Sequence, residues 1–276
     1  MMDFSGKRVL VTGSTMGIGY CAAEMFLEAG ATVAINGRNA RSVDSAIRTL
    51  GGQRLVAAPG DLSTVAGCAA VIDAAVAALG GLDVLVNNAG IGPLAYLMDV
   101  TEEHWDAVMA VNLRAAMFCT KFALPALRKS KGNVVMVASA GGLIAGPTDS
   151  LVYAISKGGL INMTRGLALE LAPECVRVNA ACPGYIDTPL IAAENAATHG
   201  QIHDFVNRAV PMGRIGTVRE AASSILYLAS TDAGYATGTI LVNDGGCIAN
   251  GSWGGANLGP PAADKPAQFV PNSVTR

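Results

Sequence analysis

Aromatic and charged residues are both scarce in this 276-residue chain: Phe, Trp and Tyr together make up 5%, and Asp, Glu, Lys and Arg 14%. Nineteen basic and 21 acidic residues leave a formal net charge of −2, which gives no electrostatic reason to expect a nucleic acid or an anionic membrane as partner. No uninterrupted apolar run reaches the ~18 residues of a membrane-spanning helix, so none is expected. The three histidines, His104, His199 and His203, are scattered. The six cysteines (Cys21, Cys68, Cys119, Cys175, Cys182 and Cys247) contain no C-x-x-C pair. A metal site is therefore not expected, and the cysteines read as reduced thiols of a cytoplasmic protein. Lys7 and Arg8 directly precede a short apolar run that ends at Thr12-Gly13, which reads as a strand and not as a signal peptide.

What is abundant is small and apolar. Hydrophobic residues are 51% of the chain and glycines number 33, a composition that favours a large core with further faces buried in an oligomer. Short apolar runs alternate with longer helix-period stretches, the pattern of an α/β, doubly wound parallel sheet with helices on both faces. Seven strands are expected near 8–12, 32–36, 54–58, 84–87, 133–138, 176–180 and 239–243. Helices are expected near 18–29, 40–50, 64–79, 101–128, 152–171 and 218–229. No linker divides residues 1–249, which read as one domain. Residues 185–212 are less regular and follow a strand's carboxyl end, where a substrate lid would sit. Residues 250–276 carry no periodicity and read as a tail, flexible or docked on a neighbouring subunit through Trp253 and Phe269.

Two spacings carry chemistry. Gly13-Ser14-Thr15-Met16-Gly17-Ile18-Gly19 lies between the first expected strand and the first expected helix. Glycines there let the backbone turn sharply against a pyrophosphate seated on the helix N-terminus. Tyr153 and Lys157 are four residues apart and so share one helix face. An ammonium ~4 Å from a phenol is worth about 4 kcal/mol at an effective dielectric near 20. That is about three pKa units, enough to make an ordinarily weak base useful near neutrality.

With Asn87-Asn88-Ala89-Gly90, Asn112, Ser139 and Pro183-Gly184-Tyr185-Ile186-Asp187-Thr188, these motifs stand in an order that resembles the short-chain dehydrogenases/reductases, from about residue 5 to Gly246. The resemblance implies a Rossmann-like single domain and hydride transfer between a nicotinamide and a ketone or secondary alcohol. It implies that Tyr153 transfers the proton, that Lys157 lowers the tyrosine pKa and binds the nicotinamide ribose, that Ser139 orients the substrate oxygen, and that Asn112 positions a relay water. It places the Gly13–Gly19 turn, Asp61 and Leu62 beside the adenine, Asn88, Ala89 and Gly90, and Pro183, Gly184, Ile186 and Thr188 against the dinucleotide. Gly37 stands where an NAD-preferring member carries an acid, and Arg38 follows it, so NADP(H) is the implied cofactor, with NAD(H) possible.

Substrate walls are expected at Ile91–Leu97, at Ala140–Gly146 and in the lid from Tyr185 to about Val210. Ile91, Leu94, Leu143, Ile144, Tyr185, Leu190 and Ile191 suit an apolar ketone or alcohol, while His199, His203 and Arg208 are expected to face solvent. Arg128, Lys129 and Lys131 could greet the phosphopantetheine arm of a carrier protein, which makes a 3-oxoacyl-thioester reductase the alternative enzyme. A non-catalytic cofactor sensor on the same fold is a further alternative; its mark would be loss of Tyr153, Lys157 or Ser139, and all three are present. The family resemblance also implies a homotetramer or homodimer joined through helices 101–128 and 152–171.

Overall fold

Val9-Leu10-Val11, Val33-Ala34-Ile35 and Val84-Leu85-Val86 are runs of residues that pack well on a pleated surface and have no polar face. A strand buried on both faces is the conformation that suits them. The computed structural model describes residues 2–144, 148–192, 206 and 208–250. Among them, β1 (Arg8–Val11), β2 (Thr32–Ile35), β3 (Leu55–Ala57), β4 (Val84–Asn87), β5 (Asn133–Val137), β6 (Arg177–Pro183) and β7 (Ile240–Asn243) form one sheet. The order is β3-β2-β1-β4-β5-β6-β7, with every pair parallel. The helices are α1 (Gly17–Glu28), α2 (Ala40–Leu50), α3 (Val65–Leu79), α4 (Glu102–Met109), α5 (Ala115–Ser130), α6 (Leu151–Leu171) and α7 (Val218–Ala229).

The strand period of two divides the core. Leu10, Ala34, Leu85, Val134 and Met136 point into one cluster with α3, α5 and α6. Val9, Val11, Val33, Ile35, Val84 and Val135 point into the other with α1, α2 and α7. At the amino-terminal edge of the sheet, Arg8 Nε meets Asp83 Oδ2 at 2.7 Å and ties β1 to β4. All six cysteines are free thiols.

Two elements differ from the sequence expectation. The last strand before the lid begins at Arg177 and runs on to Pro183 instead of stopping near 180. Its final four residues, Ala180–Pro183, are the ones that pair with β7. Pro183 has no N–H, and Gly184 N donates to Asn243 O in its place at 2.9 Å. The helix expected over 101–128 is interrupted by a π turn at Ala110–Arg114, which joins α4 to α5. The stretch Glu102–Ser130 is long and apolar enough to cross a membrane by length and composition. Here Cys119, Ala123 and Leu127 of α5 are buried in the core against α3 and the sheet. Lid residues 193–205 and 207, with His199 and His203, and tail residues 251–276, with Trp253 and Phe269, lie outside the described residues.

Arg177, at the start of β6, closes the carboxyl end of α7. Its guanidinium donates to Leu228 O at 3.0 Å, Ser230 O at 3.0 Å and Ala236 O at 3.2 Å. A cation favours those carbonyls through both hydrogen bonding and the helix dipole. Arg177→Met takes the guanidinium from the Leu228 and Ser230 carbonyls, Ala236 O keeping its bond from Asn179 Nδ2 at 2.8 Å, and is expected to cost about 2–4 kcal/mol. A lower urea midpoint at unchanged slope checks this, and an unchanged midpoint would contradict it.

Candidate active site

In a parallel sheet of this order, neighbouring crossovers diverge between β1 and β4, and the crevice opens beyond their carboxyl ends. The turns after β1, β4, β5 and β6 all reach it. They line a cleft of about 830 Å³. The turn after β1 is built for close backbone approach. A Cβ on Gly13 would stand 2.9 Å from Ala89 Cα, and one on Gly19 would stand 2.3 Å from Asn88 Nδ2. Asn88 holds the two turns together, donating to Thr12 O at 2.9 Å and Gly13 O at 3.1 Å.

Side-chain capping marks the place for an anion. Asn39, Thr64 and Thr101 cap α2, α3 and α4, and Thr217 with Glu220 forms a capping box on α7. The N-cap of α1, Met16, makes no side-chain hydrogen bond, and the first turn of α1 carries no acid. The start of α6 at Ser150 also lacks a side-chain cap, but only α1 follows the close-packed glycine turn. The amide groups of α1 are thus left facing the cleft beside the glycine turn, which fits a dinucleotide pyrophosphate.

At the other end, β5 leads directly into Ser139, whose Oγ accepts from Gly141 N at 3.1 Å. Lys157 is buried, and its Nζ donates to Val137 O at 2.8 Å. The same ammonium lies over the Tyr153 ring, 5.5 Å from its centroid. Burial pulls the Lys157 pKa down from 10.5 to about 8. Asn112 sits in the π turn. Its Oδ1 accepts from Ile91 N at 2.8 Å, and its Nδ2 donates to Ile91 O at 2.9 Å and Ser156 Oγ at 3.0 Å.

The family profile described as Enoyl-(Acyl carrier protein) reductase matches residues 13–247. The chain is 35% identical to the D-beta-hydroxybutyrate dehydrogenase of Rhizobium meliloti, over 88% of this chain and 99% of that protein. It is 36% identical to the 3-oxoacyl-(acyl-carrier-protein) reductase of Thermotoga maritima, over 90% of this chain and all of that protein, 100%. Identity to the meso-2,3-butanediol dehydrogenase of Serratia marcescens is 32%, over 90% and 97% of the two chains. The chain belongs to the short-chain dehydrogenase/reductase family. It is an NAD(P)(H)-dependent oxidoreductase that acts on a ketone or an alcohol.

Within this short-chain dehydrogenase/reductase, most of the expected residues meet in the cleft. Gly13, Thr15, Met16, Gly17, Ile18, Arg38, Asp61, Leu62, Asn88, Ala89 and Gly90 line one part of it. Ser139, Tyr153, Lys157, Pro183, Gly184, Ile186 and Thr188 line the rest. Asp61 accepts from Ser63 N and Ser63 Oγ, which hold its carboxyl below the usual range, with Arg38 adding to the effect.

Other expected residues sit outside the cleft lining. Ser14 is turned inward: its Oγ donates to Val11 O at 2.7 Å and accepts from Asn36 N at 3.0 Å, so it braces the turn. Gly19 packs under Asn88, outside the lining. Asn112 also lies outside it, with both Nδ2 hydrogens taken by protein acceptors. Leu143 joins the core on the α6 side of the sheet, and Ile144 does not line the cleft either, while Ala145 and Gly146 lie outside the described residues. Arg128 is paired with Glu174, and Lys131 precedes β5 at the amino-terminal edge of the sheet. The basic cluster therefore faces away from the cleft mouth. Sequence reading missed Ala107 and Val111, which stand four apart and reach the cleft from α4 and the π turn. That spacing was the available signal.

The Lys157 shift has a direct consequence for stability. A folded-state pKa below the unfolded value means that the buried ammonium opposes folding below about pH 8. The opposition fades as pH rises toward 10.5, where the unfolded lysine also loses its proton. Lys157→Met is expected to stabilise the cofactor-free protein at pH 7 by about 2–3 kcal/mol, less ~1 kcal/mol for the lost Val137 bond. Melting temperatures of both proteins from pH 7 to 10.5 test this; a difference that does not shrink with pH would contradict it.

Proposed function

We propose that this enzyme interconverts a neutral, apolar ketone and its secondary alcohol with NADP(H), Tyr153 being the group that transfers the proton. The observation that carries the proposal is the convergence of Ser139, Tyr153 and Lys157 in the apolar end of one cleft whose other end is an uncapped helix terminus. The nicotinamide, when bound, supplies or accepts the hydride. Tyr153 gives its proton to the carbonyl oxygen in reduction and takes one from the hydroxyl in oxidation. Lys157 Nζ, anchored on Val137 O, holds a cation over the tyrosine ring and favours its ionised form. Ser139 orients the substrate oxygen and stabilises charge that develops on it. With both Nδ2 hydrogens of Asn112 bonded, a relay water would be left its Oδ1 or backbone.

The substrate end is walled by Ile91, Leu94, Ala107, Val111, Leu190 and Ile191. Among the described lining residues, Lys157 is the cation nearest this end and Arg38 lies at the opposite one. Among the described lining residues no guanidinium stands at this end for a carboxylate-bearing substrate, which favours a neutral one over an acid of the hydroxybutyrate kind. The alternative reading, reduction of a 3-oxoacyl thioester, is supported by the Thermotoga maritima relative. Turnover of carrier-bound substrate with no turnover of small ketones would favour it. A homotetramer or homodimer is supported by Trp105, Met117, Leu151 and Ile155, apolar and exposed on α4, α5 and α6. Reduced cysteines support a cytoplasmic location.

Tyr153→Phe is expected to abolish turnover and leave cofactor affinity within about twofold, since the ring and its packing remain. Near-normal turnover would remove Tyr153 from the proton-transfer role.

Arg38 is exposed at the adenine end, with Thr15, Asn39 and Ser42 around it. Gly37 leaves no room for an acid: a Cβ there would stand 2.6 Å from Thr15 Cγ2 and 3.2 Å from Ser42 Oγ. NADPH is expected to bind at least tenfold tighter than NADH, about 1.4 kcal/mol. Gly37→Asp alone should weaken both cofactors, and Gly37→Asp with Thr15→Gly should turn the preference toward NADH. Equal affinity of the parent enzyme for the two cofactors would contradict the Arg38 assignment.

A further inference from the structure

We propose that Ser156 is a positioning residue for Tyr153, the locking member of a closed circuit of contacts that fixes the tyrosine ring. This rests on the assignment of Tyr153 as the proton-transfer group. Ser156 is fully buried on α6, three residues after Tyr153, and it does not line the cleft itself. Its Oγ donates to Tyr153 O at 2.6 Å and accepts from Asn112 Nδ2 at 3.0 Å. Asn112 in turn grips both backbone groups of Ile91, accepting from its N–H and donating to its carbonyl. The next residue, Gly92, closes the circuit: a Cβ there would stand 3.3 Å from Tyr153 Cδ2 and 3.5 Å from Leu190 Cδ1. The tyrosine is thus held from both ends. Its carbonyl is tied through Ser156 and Asn112 to the loop against which its ring lies.

A hydroxyl suits this position because it can donate to the carbonyl and accept from the amide at once. Alanine would leave a buried Nδ2 hydrogen without its acceptor and uncouple the π turn from α6. A proton-transfer group displaced by a fraction of an ångström loses rate, while the pyrophosphate end of the cleft, built on the turn after β1, is untouched.

The test is single-turnover hydride transfer with NADPH and a small apolar ketone, measured beside NADPH affinity and melting temperature. Ser156→Ala is expected to slow the transfer about tenfold with NADPH affinity within twofold, and Ser156→Cys, a weaker donor of similar size, to fall between. In combination with Asn112→Ala, Ser156→Ala should add no further loss, since both act through one circuit. A transfer rate within twofold of the parent in Ser156→Ala, additive losses in the double variant, or a loss that follows cofactor affinity would each overturn the proposal. If Ser156→Ala does not fold, the Ser156→Cys rate decides by the same criteria. Tyr153→Phe, run alongside, separates the two readings. An inactive Phe variant with unaffected Ser156 variants removes only the circuit; an active Phe variant removes the assignment beneath it.

Discussion

One bond, from the Lys157 ammonium to the Val137 carbonyl at 2.8 Å, holds the working end of this molecule together. It fastens α6 to the last residue of β5, two residues before Ser139. Among the described residues no carboxylate forms an ion pair with Lys157, so the charge is buried against a carbonyl dipole and the face of the Tyr153 ring. Such an arrangement is costly to the fold, as its lowered pKa shows. The same poor solvation leaves the cation's field unscreened beside the Tyr153 ring. Destabilisation and the catalytic use proposed for Lys157 have one cause.

The opposite end of the cleft follows the same logic with the sign reversed. Four helices carry side-chain caps that satisfy their first amide groups, and α1, like α6, does not. An uncapped terminus beside a glycine turn is weak as local structure and strong as an anion site. The parallel sheet between the two ends sets their separation and keeps both on its carboxyl edge.

Much of this was legible in the residues. Valine- and alanine-rich runs mark the strands because doubly buried strands admit little else, and seven such runs became the seven strands of the sheet. The Tyr153–Lys157 spacing survives translation into structure because a helix turn is rigid. Features that depend on a distant partner were not legible. Ser156 reads as an ordinary helix serine until Asn112, 44 positions away, is placed beside it. Ser14 lies in a turn that reads as cofactor-facing, yet its hydroxyl answers to Asn36. Arg128 looks free to meet a ligand until Glu174 comes alongside. The crowding of Gly37 by Thr15 joins two turns 22 residues apart. Nor does the apolar pattern of residues 101–128 reveal the π turn, because no proline or glycine marks it.

That turn resets the phase of the helical stretch. Each α-helical residue advances about 100° around the axis, so one residue accommodated within a π turn changes the phase of everything beyond it by about that angle. Ala107, before the turn, and Val111, within it, look into the cleft; Cys119, Ala123 and Leu127, after it, look into the core. Twelve residues separate Ala107 from Cys119, about 120° around an unbroken α-helix and about 20° once the turn absorbs one of them. The turn thereby keeps the cleft-lining and core residues of Glu102–Ser130 on nearly one side, where an unbroken helix of the same sequence would carry one set away.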